Sequence, residues 1–505
     1  MNKFVQAVKE ETNYKRTENG AIAHKSTLSD VYDLFAFGGA YRERSDEDII
    51  VLLSNALMEN PEFALKCLFY LRDVRGGQGE RRFFRVAFNW LCKNYPSVAK
   101  QNMGNVVEFG RWDDVLYATE NTPVEDFALK FMAHQLITDL ESAKAVSLAA
   151  KWAPSINAHS ADAKRLGRKL AKTLNISEKK YRLMLSYLRG KINVLEKLMS
   201  ANRWEEIEFD MIPSKAGLKY RNAFARRDVI AKKYEAFVES DDTKVNADSL
   251  YPYEVVHQAL TGLIWYGDLS EIDRAAINKY WANLKDYFNG KGSNMLCMVD
   301  TSGSMHGNPI EVAISLGMYA AERNVGPWKD YFMTFASSPR MIKIEGVDFV
   351  GKVKRIEKMN LCDNTNLAAG FNLLRDTALA HPESIPDMPD TLVVISDMEI
   401  DHAERSYPSL YRDNHSEEVR AKTLTTMEKI REEWLMLGLK TPRLVYWNVN
   451  ARNNTVLDSG ELVSYVSGLS PVLFEQVLSG KTGLDLMLDK LNSPRYNSVV
   501  WSVNK

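Results

Sequence analysis

The hydrophobic period changes once along this chain, and no other feature of the sequence restricts its fold as much. From residue 28 to 288 apolar side chains recur at helical spacing. After Asn289-Gly290-Lys291-Gly292 they come in short β-branched and aromatic runs that alternate with helical stretches. NMLCMV precedes PIEVAISLGMYAAER, DYFMTF precedes NLAAGFNLLRDTALA, TLVVIS precedes EEVRAKTLTTMEKIREEWLML, and RLVYWNV and VSYV precede SPVLFEQVLSG. Such alternation predicts a parallel sheet with helices on both faces, doubly wound in the order 3-2-1-4-5-6. The fold class expected is therefore multidomain: an N-terminal arm (1–27), an all-α region (28–288) and an α/β domain (289–505). At 505 residues the chain is in any case too long for one hydrophobic core.

The all-α region carries helix punctuation. Ser45-Asp46-Glu47-Asp48 resembles a capping box before IIVLLSNAL, and Asn60-Pro61 supplies a cap and a first-turn proline before EFALKCLFYLRDV, which stops at Gly76-Gly77. Thr122-Pro123-Val124-Glu125 repeats the device before DFALKFMAHQLITDL. These are short antiparallel helices without a strict repeat period, which leaves an irregular HEAT-like stack and a compact bundle both open.

Composition excludes several function classes. With 65 basic and 66 acidic residues the net charge is -1, so no whole-chain field attracts nucleic acid or membrane, and any such binding must come from local patches. The four cysteines (67, 92, 297 and 362) form no C-x-x-C pair, and three lie in apolar segments, as expected of reduced core thiols in a cytoplasmic protein. The amino terminus has no apolar signal region and no apolar stretch approaches the ~20 residues that span a bilayer, so no membrane partner is expected. The eight histidines form no H-x-x-x-H pair, and neither G-x-S-x-G nor a Walker loop occurs, so the chain is not expected to be an enzyme.

The strand Met295–Val299 ends abruptly at Asp300, followed by hydroxyls at alternate positions, Ser302 and Ser304. TLVVIS ends at Asp397. In the expected strand order the first and fourth strands are neighbours, which brings the two carboxylates together where strand order reverses. Between them Asp363-Asn364-Thr365-Asn366 opens a helix and can deliver the Thr365 hydroxyl. Two carboxylates and three hydroxyls, without sulfur or imidazole, suit a hard divalent cation: Mg²⁺ first, with Mn²⁺ or Ca²⁺ as alternatives. Alternation in D-T-S-G-S lets 300, 302 and 304 face one side, and Gly303 is expected to permit the tight turn.

This set resembles the metal-ion-dependent adhesion site of von Willebrand factor type A domains: D-x-S-x-S after strand one, a threonine in the middle loop, an aspartate after strand four. The site is expected to be noncatalytic, either holding a domain interface or leaving a remaining coordination position to water or an acidic protein partner. The family often has glycine after the last aspartate, whereas Met398 and Glu399 follow here, leading into MEIDHAERSYPSLYRDNH.

Two basic clusters in the all-α region are candidates for RNA. Arg72, Arg75, Arg81 and Arg82 bracket a glycine-rich turn whose amides and guanidinium forks can both meet phosphate. Lys215, Lys219, Arg221, Arg226 and Arg227 are interleaved with Tyr220 and Phe224. Phosphates need cations and unstacked bases need flat partners, which is what single-stranded RNA asks of a surface. The competing reading is structural: Asp73, Glu80 and Asp228 can neutralise these arginines, and Tyr220 and Phe224 have core spacing. Trp112 with Asp113 and Asp114, and Lys151 with Trp152, read as packing and capping residues.

The stretches FYLRDVRGGQGERRFFR, EFGRWDDVLY, SLAAKWAPS, YRLMLSYLRGKINVLEKLM and PSKAGLKYRNAFARRD, with VYWNV and YVSGLSP, resemble a family that joins a helical region to a von Willebrand A-like domain. That family is in turn remotely similar to the Ro autoantigen, or TROVE, proteins, in which a ring of HEAT-like helices binds small noncoding RNAs. The resemblance implies a ribonucleoprotein component binding small or single-stranded RNA. The alternative is a protein-interaction or assembly scaffold, of viral or mobile-element origin, that docks partners through its A-like domain.

Overall fold

Asn60 lies in extended backbone (φ -152°, ψ 100°), its side chain accepts the Phe63 amide, and Pro61 occupies the first turn, so the helix Pro61–Arg72 starts as its sequence predicts. A computed structural model describes residues 4, 9, 12–17, 22–143, 146–192, 195–266, 268–290, 294–335, 337–359, 366–399, 425–451, 455–458, 460 and 462–502. The chain divides into two compact units. A helical unit holds 46–249 and 491–505, and a sheet unit holds 1–45 and 250–490.

In the helical unit consecutive helices pack on one another: Asp46–Glu59 on Pro61–Arg72, and Pro61–Arg72 on Arg81–Asn94. Phe69, Phe84, Phe88 and Phe109 share one buried aromatic cluster with ring centroids 5.1–6.1 Å apart. Burying each such ring contributes roughly 1.5–3 kcal/mol. Thr122 does not cap the helix Glu125–Glu141. Its hydroxyl instead donates to Thr119 O at 2.6 Å, within the preceding turn, and Val124 holds the cap position without a side-chain bond. Residues 494–500 return to this unit, where Asn102 and Asn105 donate to the carbonyls of Val500 and Ser498, each at 2.8 Å.

The sheet unit is built on six strands: β3 (Met295–Asp300), β4 (Tyr331–Phe335), β5 (Arg340–Lys343), β6 (Thr391–Ser396), β7 (Arg443–Asn448) and β8 (Val463–Ser467). Their order is β5-β4-β3-β6-β7-β8, which is 3-2-1-4-5-6 in sequence terms. All pairs are parallel except β4 with β5, an antiparallel edge. Every residue of β3 is buried, as continuous apolar runs in a covered parallel sheet require. A separate hairpin, β1 (Tyr14–Arg16) with β2 (Ile22–His24), precedes these strands.

The period change at Asn289 falls inside the sheet unit, because the helices Pro252–Tyr266 and Glu271–Ala282 belong there. Trp281 stacks on Phe349 (4.1 Å, 12°), and Arg274 forks onto Asp348 at 2.6 and 2.7 Å. The first 45 residues join the same unit. Tyr465 N donates to Tyr32 Oη at 3.0 Å, and Gly39 passes so close to β8 that a Cβ would lie 2.4 Å from the Ser467 carbonyl oxygen. Only glycine fits such an approach. Cys67, Cys92 and Cys297 are buried and unbridged. Among the described residues no helix is long and apolar enough to cross a membrane.

Candidate functional site

β3 and β6 run side by side, Val299 opposite Ile395, so Asp300 and Asp397 leave the carboxyl ends of adjacent parallel strands. On one side β3 meets β6 and on the other β4, which makes this the crevice where a doubly wound sheet takes its ligand. Both carboxylates are fully buried. Asp300 Oδ1 accepts the Ser302 amide at 2.9 Å and Oδ2 accepts the Ser396 hydroxyl at 2.5 Å. Burial, opposed by these bonds and reinforced by the nearby charge of Asp397, pushes the Asp300 carboxyl up to about 6. Asp397 Oδ1 accepts the Glu399 amide at 3.2 Å.

The hydroxyls of Ser302 and Ser304 lie 2.9 Å apart, either being able to donate. Four of the five expected ligands, Asp300, Ser302, Ser304 and Asp397, are thus at the end of β3 or just beyond β6, while Thr365 lies outside the described residues. The donor set fits a hard divalent ion: its atoms are all oxygens, and among the described residues no cationic side chain bonds or ion-pairs with Asp300. Thr301 Oγ1 is also buried here without a hydrogen-bond partner among the described residues, a further sign of polar capacity not used up by the fold. No described group of three or more His, Cys, Asp or Glu side chains could hold a metal, so a cation here would depend on the serine hydroxyls.

Three local features differ from the reading of the sequence. Gly303 opens a 3-10 turn (Gly303–Met305) with ordinary backbone and open space where a Cβ would go, whereas Gly307 has φ +89° at the entry to the helix Asn308–Arg323. The glycine requirement therefore belongs to 307. Met398, where the adhesion-site family often has glycine, adopts φ 64° and is buried, so a methionine is held in a glycine-type conformation. Ser396 was legible only as a strand residue. Its hydroxyl nonetheless bonds Asp300 and accepts the Met398 amide at 3.0 Å, tying the two strand ends together.

The family described as "Domain of unknown function (DUF2828)" matches residues 17–118 and 127–293, more than half of the chain. The chain belongs to this family. Residues 294–493, which include Asp300, Ser302, Ser304 and Asp397, match a second family described as "Domain of unknown function (DUF7788)". An uncharacterized protein of Acanthamoeba polyphaga mimivirus is 27% identical over 513 residues, covering 93% of this chain and 85% of that protein.

In this DUF2828 protein the two basic clusters separate into buried and surface members. Arg72 is 1% exposed and donates through Nε and Nη2 to Asp114 at 2.8 and 2.6 Å. Arg221 is also buried and donates to Leu218 O at 2.8 Å. Neither is a surface cation. The amides of the glycine-rich turn are spent within it. Those of Arg75 and Gly76 go to Asp73 Oδ1, those of Gly77 and Gly79 to Asp73 O, and those of Gln78 and Glu80 to the carbonyls of Tyr70 and Leu71.

Arg75 approaches Glu108, Arg82 pairs with Asp46, and Arg81 is exposed, with partial burial and the neighbouring Arg111 and Arg85 disfavouring its charge. Lys215, Lys219, Arg226 and Arg227 are exposed, Lys219 lying 4.9 Å from the Tyr220 ring and Arg227 4.8 Å from Trp204. Phe224 is core, packed on Phe209 and Tyr234. Trp112 stacks on Phe131, and Asp113 and Asp114 receive Arg72, Arg85 and Arg111.

Proposed function

We propose that this chain is a noncatalytic binding protein of the von Willebrand A and Ro-like plan. In this reading Mg²⁺, with Mn²⁺ or Ca²⁺ as alternatives, is held by Asp300, Ser302, Ser304, Thr365 and Asp397 and receives an acidic protein partner. The HEAT-like helical unit binds single-stranded RNA. The observation that carries the proposal is the pair of buried carboxylates at the β3/β6 crevice, hydrogen-bonded in the described structure by neutral hydroxyls and amides. A fold that buries two like charges side by side meets a desolvation and repulsion cost, and a bound cation offsets both. The ion would supply a Lewis-acidic position for a carboxylate oxygen. Asp300 and Asp397 would balance the ion's two charges, and Ser302 and Ser304 would contribute neutral oxygens, leaving an open coordination position as what attracts an acidic ligand.

Support for the RNA half is compositional and local: exposed Lys and Arg side chains at 75, 81, 82, 215, 219, 226 and 227, with Tyr220 beside Lys219. Metal analysis of the purified protein tests the first half. Wild type is expected to retain one Mn²⁺ or Mg²⁺ per chain, removable by chelator, and Asp300→Ala to retain none while keeping its circular dichroism. Equal metal content in both proteins would sink the reading.

A further inference from the structure

A groove of about 650 Å³ opens in the helical unit between the segment around Trp152 and the helices Glu178–Lys191 and Leu195–Ser200. Neither basic cluster considered above lines it. Its walls carry four cationic side chains, Lys151, Arg182, Arg189 and Lys197, against one carboxylate, Glu196. Among the described residues none of the four forms an ion pair.

Arg189 makes the imbalance specific. Its guanidinium is held by three neutral oxygens, the carbonyls of Ala150 and Ala153 at 2.9 Å and the Ser155 hydroxyl at 3.0 Å. Those bonds fix its position in a half-buried wall but leave its charge uncompensated. Among the described residues Arg182 reaches only Asn157 Oδ1, at 3.5 Å. Lys151 lies 5.6 Å from the Trp152 ring centroid, and the Arg111 guanidinium lies over the same ring at 4.0 Å. The indole therefore carries positive charge against it and offers the groove a flat half-buried wall. Ser186 and Asn157 add hydrogen-bonding groups at the rim.

We infer that this groove binds single-stranded RNA, the cations meeting successive phosphates, the Trp152 wall meeting a base or ribose, and the polar rim meeting 2′-hydroxyls. The inference rests on the RNA half of the proposed function and gives it a location. Charge complementarity selects a polyanion, and a volume within the range of small-ligand sites accommodates a short stretch of strand rather than a duplex.

The test is fluorescence anisotropy of a short labelled oligouridylate with the full chain, over a series of salt concentrations. Three proteins are compared: wild type, the groove variant Lys151→Gln/Arg182→Gln/Lys197→Gln, and the control Lys93→Gln/Lys100→Gln/Lys130→Gln, three exposed lysines that belong neither to the groove nor to either basic cluster. Arg189 is left intact because its bonds hold the segment. The groove variant is expected to bind at least about tenfold more weakly at low salt and to lose about 2 from the salt slope, whereas the control loses less than about threefold.

Unchanged binding by a folded groove variant, or loss confined to the control, overturns the groove and leaves the RNA reading standing. Absence of wild-type binding at low salt removes both. Displacement of the oligouridylate by polyglutamate or inorganic phosphate at equal charge would also overturn the inference, since the groove would then accept any anion. Failure of both competitors upholds it.

Discussion

The helical unit and the sheet unit both bury carboxylates, and Asp114 in the first and Asp300 in the second show two opposite ways of doing so. In the helical unit Asp114 is wholly buried between Arg72 and Arg85, and Asp73 accepts Arg495 Nη2 at 2.6 Å and the Tyr496 hydroxyl at 2.9 Å. Although burial alone would raise it, the Asp73 carboxyl is held below its usual range by Arg495 and by the amides of Arg75 and Gly76. At the carboxyl end of β3 the Asp300 carboxylate has only neutral hydrogen-bond donors among the described residues, and a second carboxylate beside it. Paired charges of the first kind hold a fold together. A carboxylate kept buried in the second way costs stability, which is the pattern expected of a site that waits for a ligand.

The largest expected effect comes from unbalancing the helical unit. Asp114→Ala strands the buried Arg72 guanidinium and should lower unfolding free energy in urea by about 3–5 kcal/mol. A loss under about 1 kcal/mol would erase the contrast between the two units. The opposite is expected of Asp300→Asn, which removes a buried charge and keeps the acceptor for Ser302. Without metal the variant should melt no lower than wild type. Saturating Mg²⁺, at about 100 times its dissociation constant, should raise the wild type by about 2.7 kcal/mol and leave the variant unmoved.

A pH series sharpens the comparison through Asp33, buried in the sheet unit and hydrogen-bonded by Ser26 Oγ, Thr27 N and Thr27 Oγ1 at 2.5–2.9 Å. Burial pushes it up to about 6 despite those bonds. The folded state thus holds the proton that the unfolded chain releases nearer pH 4, and Asp33's contribution falls as pH rises from there through about 6. Asp33→Asn should flatten that fall, worth about 2 kcal/mol, in denaturation midpoints measured from pH 4 to 7. Asp73 runs the other way: its folded pKa is depressed, so its contribution is lost only as pH drops below the usual carboxylate range. The smallest effect is reserved for Arg82→Gln, which breaks an exposed pair with Asp46 and should change stability by less than about 1 kcal/mol.

What the sequence made legible is what periodicity and strand ends encode. The runs MLCMVD, YFMTF, TLVVIS, RLVYWN and VSYVS are β3, β4, β6, β7 and β8, and the switch-point argument brought Asp300 and Asp397 to adjacent strand ends. β5 escaped because its four residues, RMIK, form an antiparallel edge whose burial does not alternate. Arg72 read as a surface cation because its partner Asp114 lies 42 positions away with nothing local to announce it. The Ser396 hydroxyl was hidden for a similar reason: a serine closing an apolar strand carries no signal until the neighbouring strand supplies the acceptor. Thr365 and the stretch after Glu399 lie outside the described residues.

The bond from Arg495 to Asp73 joins residues 422 positions apart, and both belong to the helical unit. During synthesis the helices between 46 and 249 emerge from the ribosome long before the strap that neutralises their buried aspartate exists. The nascent helical unit must therefore pass through a period with an open acidic notch beside Tyr70 and Phe109, closed only when the Arg495–Tyr496 latch arrives. Translation order, rather than helix propensity, then dictates when this half of the protein becomes fully native.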